Sequence, residues 1–198
     1  MKALRIGLWV MVCVFAGIAG YAWLTIGNGP AIVEASKAKV GAPFELIDHH
    51  GKPITQARLK DRRHAIFFGF THCPDVCPTT LYETAAWMKD LGEDSNKIDF
   101  YFFSVDPERD TPDVLADYVN AFDERITGVT GDFEAMMDTV KSYKAYAKKV
   151  ELEDGDYTVD HSAFVLLFDA SGDFKRTISY GENSETAVGK LKRLIEDG

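Results

Sequence analysis

An uncharged segment near the N-terminus divides the chain into two parts. No charged side chain lies between Arg5 and Glu34, and the residues from Ile6 to Ile26 are almost all apolar. A helix of that length spans roughly 30 Å, which is the thickness of the hydrocarbon core of a bilayer. We therefore predict a membrane anchor in residues 1–26, and the basic side chain of Lys2 places its N-terminus in the cytoplasm.

A cleaved signal peptide is the alternative for the same segment, with Gly17-Ile18-Ala19 as its cleavage site. The apolar stretch of such peptides usually has roughly 7–15 residues, which favours retention of this longer one. In both cases the remainder of the chain leaves the cytosol. Because the sequence lacks an Arg- and Ser-rich leader, we expect a single-pass protein of the bacterial inner membrane with its C-terminal domain in the periplasm.

The rest of the chain has the composition of one folded domain. Of its 198 residues, 46% are hydrophobic and 27% are charged, a balance typical of a globular protein. Residues 27–40 show no clear periodicity and are predicted to be a tether, so the domain covers 41–198. The net charge of −9 argues against a nucleic-acid partner, since phosphate binding needs clustered Lys and Arg.

Strands and helices alternate along this domain and predict an α/β fold. Continuous apolar runs such as Ala65–Phe70 are typical of strands that are covered on both faces. The predicted strands are Phe44–Asp48, Ala65–Phe70, Ile98–Val105, Ile126–Val129, Val150–Leu152, Tyr157–Val159, Ala163–Asp169 and Phe174–Ser179. The predicted helices are Pro78–Leu91, a helix that begins at Pro112, Asp132–Ala147 and a closing helix through Ile195. This order implies a central sheet with helices on both sides.

The segment with the richest chemistry is Thr71–Pro78, which contains Cys73 and Cys77. It forms the loop between a buried strand and a helix, where functional groups concentrate. With three intervening residues and one helical turn, the two sulfurs come close enough to form a disulfide or to bind one ion. Because Cys77 lies at the N-terminus of the helix, where N–H groups and the helix dipole stabilise an anion, we expect its thiolate to form readily.

A purely structural disulfide between these cysteines would gain little, because stabilisation grows with the length of chain that the bond encloses. A redox-active dithiol and a metal site therefore remain, and the metal site needs a third ligand. Of the five histidines, His49, His50 and His64 are expected at the surface, and His72 is expected to point away from its neighbour Cys73. His161 precedes an apolar strand at a sheet edge that can face the cysteine loop, so it is either a ligand or a structural histidine.

Three motifs together resemble the Sco/SenC family, the copper chaperones of cytochrome c oxidase assembly. They are Gly69–Pro78 (GFTHCPDVCP), Ser104–Pro112 (SVDPERDTP) and Val159–Ser162 (VDHS), in the family's order. The resemblance covers the chain from about Val40 to Glu196. The anchor also fits the family's usual layout.

The resemblance implies a thioredoxin-like fold, a central mixed sheet flanked by helices, in which Cys73, Cys77 and His161 bind one copper ion. It implies delivery of that ion to the binuclear copper site of an oxidase subunit, with a copper donor protein and a thiol reductant as further partners. Two thiolates and an imidazole suit Cu(I), and Cu(II) with an added oxygen ligand. Asp160 either orients His161 or caps a strand, and Asp106 and Asp110 are expected in a turn and at a helix start.

A thiol–disulfide oxidoreductase or redox sensor is the alternative function. Its chemistry would use the two cysteines to keep an acceptor protein's thiols reduced. The three-residue spacing differs from the two-residue spacing of thioredoxins, and such an enzyme needs no imidazole ligand. We therefore expect a metallochaperone rather than an enzyme, with accessory thiol exchange.

Overall fold

The computed structural model describes residues 9, 11, 13–21, 39–153 and 155–196. The chain divides into two units, residues 1–38 and 39–198. In the first unit the described residues are helical and belong to α1. Most of the predicted anchor and residues 27–38 of the predicted tether lie outside the described residues. Across the part of the chain that is described, no helix combines the length and the apolar character needed to cross a bilayer.

The second unit is built on a seven-stranded mixed sheet with strand order β2-β1-β5-β4-β3-β8-β9. The central pairs β3–β4 and β4–β5 are parallel, whereas β1, β2, β8 and β9 join antiparallel to their neighbours. The sheet strands are β1 (Glu45–Asp48), β2 (Pro53–Thr55), β3 (Arg63–Gly69), β4 (Ile98–Ser104), β5 (Ile126–Thr130), β8 (Phe164–Phe168) and β9 (Phe174–Ser179). Strands β6 (Ala147–Glu151) and β7 (Tyr157–His161) form a separate antiparallel hairpin.

Helices flank the sheet, which confirms the predicted α/β class. They are α2 (Gln56–Leu59), α3 (Val76–Leu91), α4 (Pro112–Asn120), α5 (Phe133–Ser142) and α6 (Ser184–Glu196), and a 3₁₀ helix covers Gly92–Lys97. The central strands β3 and β4 are buried along almost their whole length, as their unbroken apolar runs predicted. Aromatic side chains from these strands form the middle of the core, among them Phe68, Phe102 and Phe103.

One predicted helix needs correction. The predicted helix Asp132–Ala147 is shorter, because α5 ends at Ser142 and Tyr143 turns into the core, where it is 2% exposed. Lys144 follows with a φ of 58°, a left-handed conformation that ends the helix. The next residues then leave to form β6.

Two histidines that were expected at the surface are buried. The His49 ring accepts a hydrogen bond at Nδ1 from the N–H of Gly128, at 2.8 Å. The His64 ring stacks on Phe168 with a centroid distance of 4.9 Å. Neither ring belongs to the described cluster that contains the cysteines.

Candidate metal centre

The cysteine loop connects the end of β3 to the start of α3. The N–H of Cys73 donates to the carbonyl of Phe70 at 3.3 Å, which folds the chain back on itself after the strand. Asp75 is the N-cap residue of α3, so Cys77 lies within the first helical turn. The helix begins two residues before the predicted Pro78. Cys77 is completely buried, whereas Cys73 is partly exposed.

Backbone N–H groups point at both sulfurs. The N–H of Cys77 donates to Cys73 Sγ at 3.4 Å, and the N–H of Phe70 donates to Cys77 Sγ at 3.5 Å. The first of these donors belongs to the N-terminal turn of a helix, where N–H groups lack partners within the helix. The two cysteines form no disulfide.

The two thiols differ in acidity. The pKa of Cys73 is lowered to about 3, chiefly because the Cys77 thiol donates a hydrogen bond to its sulfur, with smaller contributions from the backbone N–H groups of Asp75 and Cys77. Burial raises the pKa of Cys77, and the neighbouring Cys73 sulfur raises it further. The sequence predicted that the thiolate of Cys77 forms readily. That prediction is wrong, because burial of Cys77 outweighs its position in the first helical turn.

Gly69 makes room for the buried sulfur. A Cβ atom at this position would lie 2.8 Å from Cys77 Sγ and 2.7 Å from Cε2 of Phe102, closer than real Cβ contacts. Only glycine therefore fits without displacing one of these groups. The sequence analysis included Gly69 in a motif but did not recognise this role, which requires knowledge of where the sulfur packs.

His161 reaches the site from a different element. It is the last residue of β7, in the separate hairpin rather than at the edge of the central sheet as predicted. Its Nδ1 lies 3.1 Å from the carbonyl oxygen of Ser162, which can only accept, so Nδ1 carries the proton. Nε2 is therefore the atom with a free lone pair, and it faces Cys77 Sγ at 3.3 Å.

The three predicted ligands thus converge. Cys73 Sγ, Cys77 Sγ and a ring nitrogen of His161 all lie within 4.8 Å of one another. The edges of the Phe67 and Phe70 rings pack around the imidazole, with ring-centroid distances of 5.9 and 5.7 Å. Asp160 is exposed, and the hydrogen bond that orients the imidazole comes from the backbone of Ser162 instead.

The second motif, Ser104–Pro112, holds the cysteine loop in place through Asp110. Thr71 donates to the Asp110 carboxylate from its N–H at 3.0 Å and from its hydroxyl at 2.6 Å. The Ser104 hydroxyl donates to the same carboxylate at 2.6 Å. The carboxylate is completely buried, and this burial raises its pKa. The predicted helix start is confirmed at Thr111, which caps α4.

The same motif also holds the hairpin that carries His161. The Tyr157 hydroxyl donates to Asp106 at 2.9 Å, and Arg109 donates to the other oxygen of this carboxylate. The Arg109 guanidinium lies 3.8 Å from the centroid of the Tyr157 ring and donates to the Tyr157 carbonyl at 3.2 Å. One loop after β4 therefore ties both ligand-bearing segments to the sheet, which the sequence analysis did not foresee.

His72 does not take part in the cluster. Its side chain is exposed, and its Nδ1 lies 3.1 Å from the Thr71 hydroxyl. This agrees with the prediction that it points away from Cys73.

Known proteins share both the sequence and the fold of this chain. The family model described as SCO1/SenC matches residues 33–196. The mitochondrial protein SCO2 of Saccharomyces cerevisiae is 38% identical over 160 residues, which cover 79% of this chain and 53% of the yeast protein. The mitochondrial SCO1 homolog 1 of Arabidopsis thaliana is 39% identical over 164 residues, which cover 82% of this chain and 47% of that protein. The chain spans about half the length of these curated relatives.

A solved structure extends the similarity to the folded domain. ScoI of Bradyrhizobium japonicum, solved with copper bound, is 44% identical and superposes with a TM-score of 0.73. The match covers 78% of this chain and 99% of that structure. Because the family model covers most of the sequence and these relatives share more than 30% of their residues with it, the chain belongs to the SCO1/SenC family.

Proposed function

We propose that this protein is a membrane-anchored copper chaperone that binds one copper ion through Cys73, Cys77 and His161. It delivers the ion to the binuclear copper site of cytochrome c oxidase. The observation that carries the proposal is the convergence of the three side chains, from a loop, a helix and a separate hairpin, within 4.8 Å. A purely structural role for His161 would not explain why its unprotonated Nε2 faces Cys77 Sγ.

The donor set favours copper over zinc. Two thiolates and one imidazole form a soft site of three ligands, which suits Cu(I). Structural zinc sites normally have four protein ligands, and the described residues bring three together here. The related ScoI protein of Bradyrhizobium japonicum, which shares the fold, was solved with copper bound. The exposed side of Cys73 leaves the ion reachable by ligands of an acceptor protein.

Copper uptake is coupled to protons. The metal binds thiolates, and the raised pKa of Cys77 means that this cysteine enters the reaction as a thiol. Its proton is released when the metal–sulfur bond forms. The contact of His161 Nδ1 with the Ser162 carbonyl leaves Nε2 as the atom that binds the metal.

The proposed location is the bacterial inner membrane, with the domain in the periplasm. The support is the uncharged segment between Arg5 and Glu34, together with the basic residue Lys2 before it. An N-terminal sequence determined on the protein from the membrane fraction tests this. A first residue after Ala19 or Ala22 would show that the segment is a cleaved signal peptide.

The main test is an anaerobic Cu(I) titration of the reduced full chain against a chromophoric chelator. We expect one copper per chain for the wild type, and a loss of affinity of at least about 100-fold for Cys77→Ser and for His161→Ala. His72→Ala and Cys13→Ser are the matched controls, since they remove a neighbouring imidazole and a thiol outside the cluster. Equal affinity of His161→Ala and the wild type would contradict the proposal.

Thiol–disulfide exchange is the second candidate, because the lowered pKa of the partly exposed Cys73 is what an attacking thiol requires. Exchange with a small disulfide then depends on both cysteines and proceeds without His161. If His161→Ala keeps its full exchange rate and its copper affinity, the oxidoreductase is the better description. If exchange persists but copper affinity falls, copper binding is the function of the imidazole.

A further inference from the structure

A groove lies between helix α5 and the hairpin that carries His161. Its volume is about 430 Å³. Apolar side chains from both elements line it, Phe133, Met137 and Val140 on the helix side and Val159 on the hairpin side. The Phe133 side chain is 45% exposed although it belongs to this apolar lining. The groove is therefore a concave apolar surface in contact with solvent, a form that can receive a protruding side chain of another molecule.

A basic segment of the sequence borders the groove. Residues 139–150 contain four lysines and no acidic residue, although acidic residues outnumber basic ones in the whole chain by 31 to 22. Three of these lysines, Lys141, Lys148 and Lys149, line the groove. Lys149 pairs with Glu108 at 3.3 Å. Lys141 and Lys148 form no ion pair within the described part of the chain, so both are available to a partner.

The acidic side chains nearby do not neutralise these two lysines. Asp106 also lines the groove, but it forms its ion pair with Arg109. Asp160 lies opposite Lys148 in the hairpin register, and among the described residues the two side chains form no ion pair. The groove thus has an excess of positive charge on a chain whose net charge is −9. An acidic partner is repelled by most of the surface and attracted here, which sets its orientation.

The groove adjoins the candidate metal centre through the hairpin. Val159 lies two residues before His161 on β7, so their side chains share one face of the strand, roughly 7 Å apart. Ala147, which also lines the groove, lies opposite His161 in the register. Tyr146 is 54% exposed at the groove, and its carbonyl accepts a hydrogen bond from the N–H of Ser162 at 3.0 Å. A molecule in the groove therefore contacts the two chain segments on either side of the imidazole.

The shape and the charge together define the occupant. Binding to a membrane surface buries a protruding apolar face in the headgroup region, whereas the apolar side chains here line a concavity. A protein segment with acidic side chains around one apolar side chain satisfies both the lysines and the groove. We propose that the groove is the docking site for such an acidic segment of the protein that receives the copper ion, and that docking there places the acceptor beside His161. This inference rests on the proposed copper function.

Charge reversal in the groove tests the inference. The probe is the copper-free soluble domain of the oxidase subunit that carries the binuclear copper site, and its binding to the reduced, copper-free full chain is measured by surface plasmon resonance. We expect the double variant Lys141→Glu/Lys148→Glu to lower the association rate constant at least about tenfold at low salt, and a smaller difference at high salt. The matched control is Lys52→Glu/Lys192→Glu, which changes the net charge equally at two exposed lysines outside the groove. Its rate constant should stay within about threefold of the wild type.

Phe133→Ala tests the apolar part of the groove. Removing a side chain that packs against the docked segment should raise the dissociation rate constant of the probe about tenfold. Phe133 is the first residue of α5 and is partly exposed, so the melting temperature of the variant should match that of the wild type. Phe174→Ala is the control, because Phe174 is 39% exposed and does not line the groove. The Cu(I) affinity of all these variants should stay within about twofold of the wild type, since no ligand is changed.

The outcomes are distinguishable. Wild-type association of the probe with Lys141→Glu/Lys148→Glu, or no binding of the probe to the wild-type chain, would overturn this inference and leave the copper titration unaffected. If this variant bound the probe normally but lost self-association in ultracentrifugation, or lost binding to phosphatidylglycerol vesicles, the groove would serve a second copy or a membrane, and the inference would be wrong. Failure of the wild-type chain to bind Cu(I) would overturn the proposed function and this inference with it.

Discussion

The two segments that carry the candidate ligands are held in different ways. The cysteine loop joins a buried central strand to a helix, and Cys77 is completely buried in the core. Among the described residues, His161 ends a two-stranded hairpin that pairs with no strand of the main sheet, and all residues of β6 are partly or fully exposed. The sulfur positions therefore depend on the packed strand and helix, whereas the imidazole position depends on polar contacts of the hairpin and on ring contacts with Phe67 and Phe70. Changes on the core side should alter folding and copper binding together, and changes on the hairpin side should alter copper binding alone.

The largest effect is expected for Gly69→Ala on the core side. The added methyl group collides with Cys77 Sγ and with Phe102, and overpacking of this kind should lower the free energy of unfolding by about 3 kcal/mol. The copper affinity of Gly69→Ala should fall together with its free energy of unfolding. Urea denaturation and Cu(I) competition measure the two quantities. Gly189→Ala is the control: nothing lies near its added methyl group, and alanine should stabilise α6 slightly.

Asp110→Asn should have the next largest effect. The NH₂ group of the new side chain can only donate, and it faces donors of Thr71 or Ser104 that the carboxylate accepted. At least one of these hydrogen bonds is therefore lost. We expect a loss of about 2 kcal/mol in unfolding free energy, and weaker copper binding because the cysteine loop is less fixed. Asp117→Asn, an exposed change on α4, is the control. If Asp110→Asn weakened copper binding but left the free energy of unfolding unchanged, core-side changes would not alter folding and copper binding together.

Lowering the pH should decrease the free energy of unfolding, because His64 is buried in the core. Burial lowers the pKa of His64 below 6.5, so between pH 6.5 and that lower pKa the unfolded chain binds a proton that the folded chain does not. Stability is therefore complete above pH 6.5 and decreases as the pH falls, by up to about 1.4 kcal/mol per pH unit. His64→Phe should make this decline shallower in urea denaturation series at several pH values. An unchanged slope would show that His64 takes up its proton in the folded state.

The smallest effect is expected on the hairpin side, for Tyr157→Phe. This change removes the hydrogen bond to Asp106 but keeps the ring beneath Arg109. Copper affinity should fall about threefold, with a change in unfolding free energy below about 1 kcal/mol. Tyr146→Phe, an exposed tyrosine beside β6, serves as the control. A loss of stability as large as that of Gly69→Ala would show that the hairpin is part of the core unit.

Local patterns were sufficient to predict most of the strands and helices and to single out the two cysteines. The apolar runs identified β3 and β4, and Pro112 after Thr111 marked the start of α4. The convergence of His161 with the cysteines, 84 residues away from Cys77, was an expectation from the family resemblance. Spacing alone left that histidine undecided, because the position of a hairpin relative to a sheet depends on contacts distant in sequence.

The features that the sequence did not predict depend on burial. The surface positions assigned to His49 and His64 were wrong because neighbouring polar residues say nothing about the strand or aromatic ring that covers each imidazole. The same reason explains why the Cys77 thiolate does not form readily as predicted, since the core encloses this thiol and raises its pKa. The space that Gly69 provides also becomes visible only after β3 and α3 are packed together.

The unequal exposure of the two cysteines leaves the site accessible to other molecules from one side only. Cys77 is completely buried. Any molecule that forms a bond to one of the two sulfurs must therefore first contact the partly exposed Cys73. A mixed disulfide with an outside thiol then has one attachment point, and Cys77 is the sulfur left to resolve it. The same one-sided approach applies to a protein that takes an ion away, which must displace the outermost donor before the inner one.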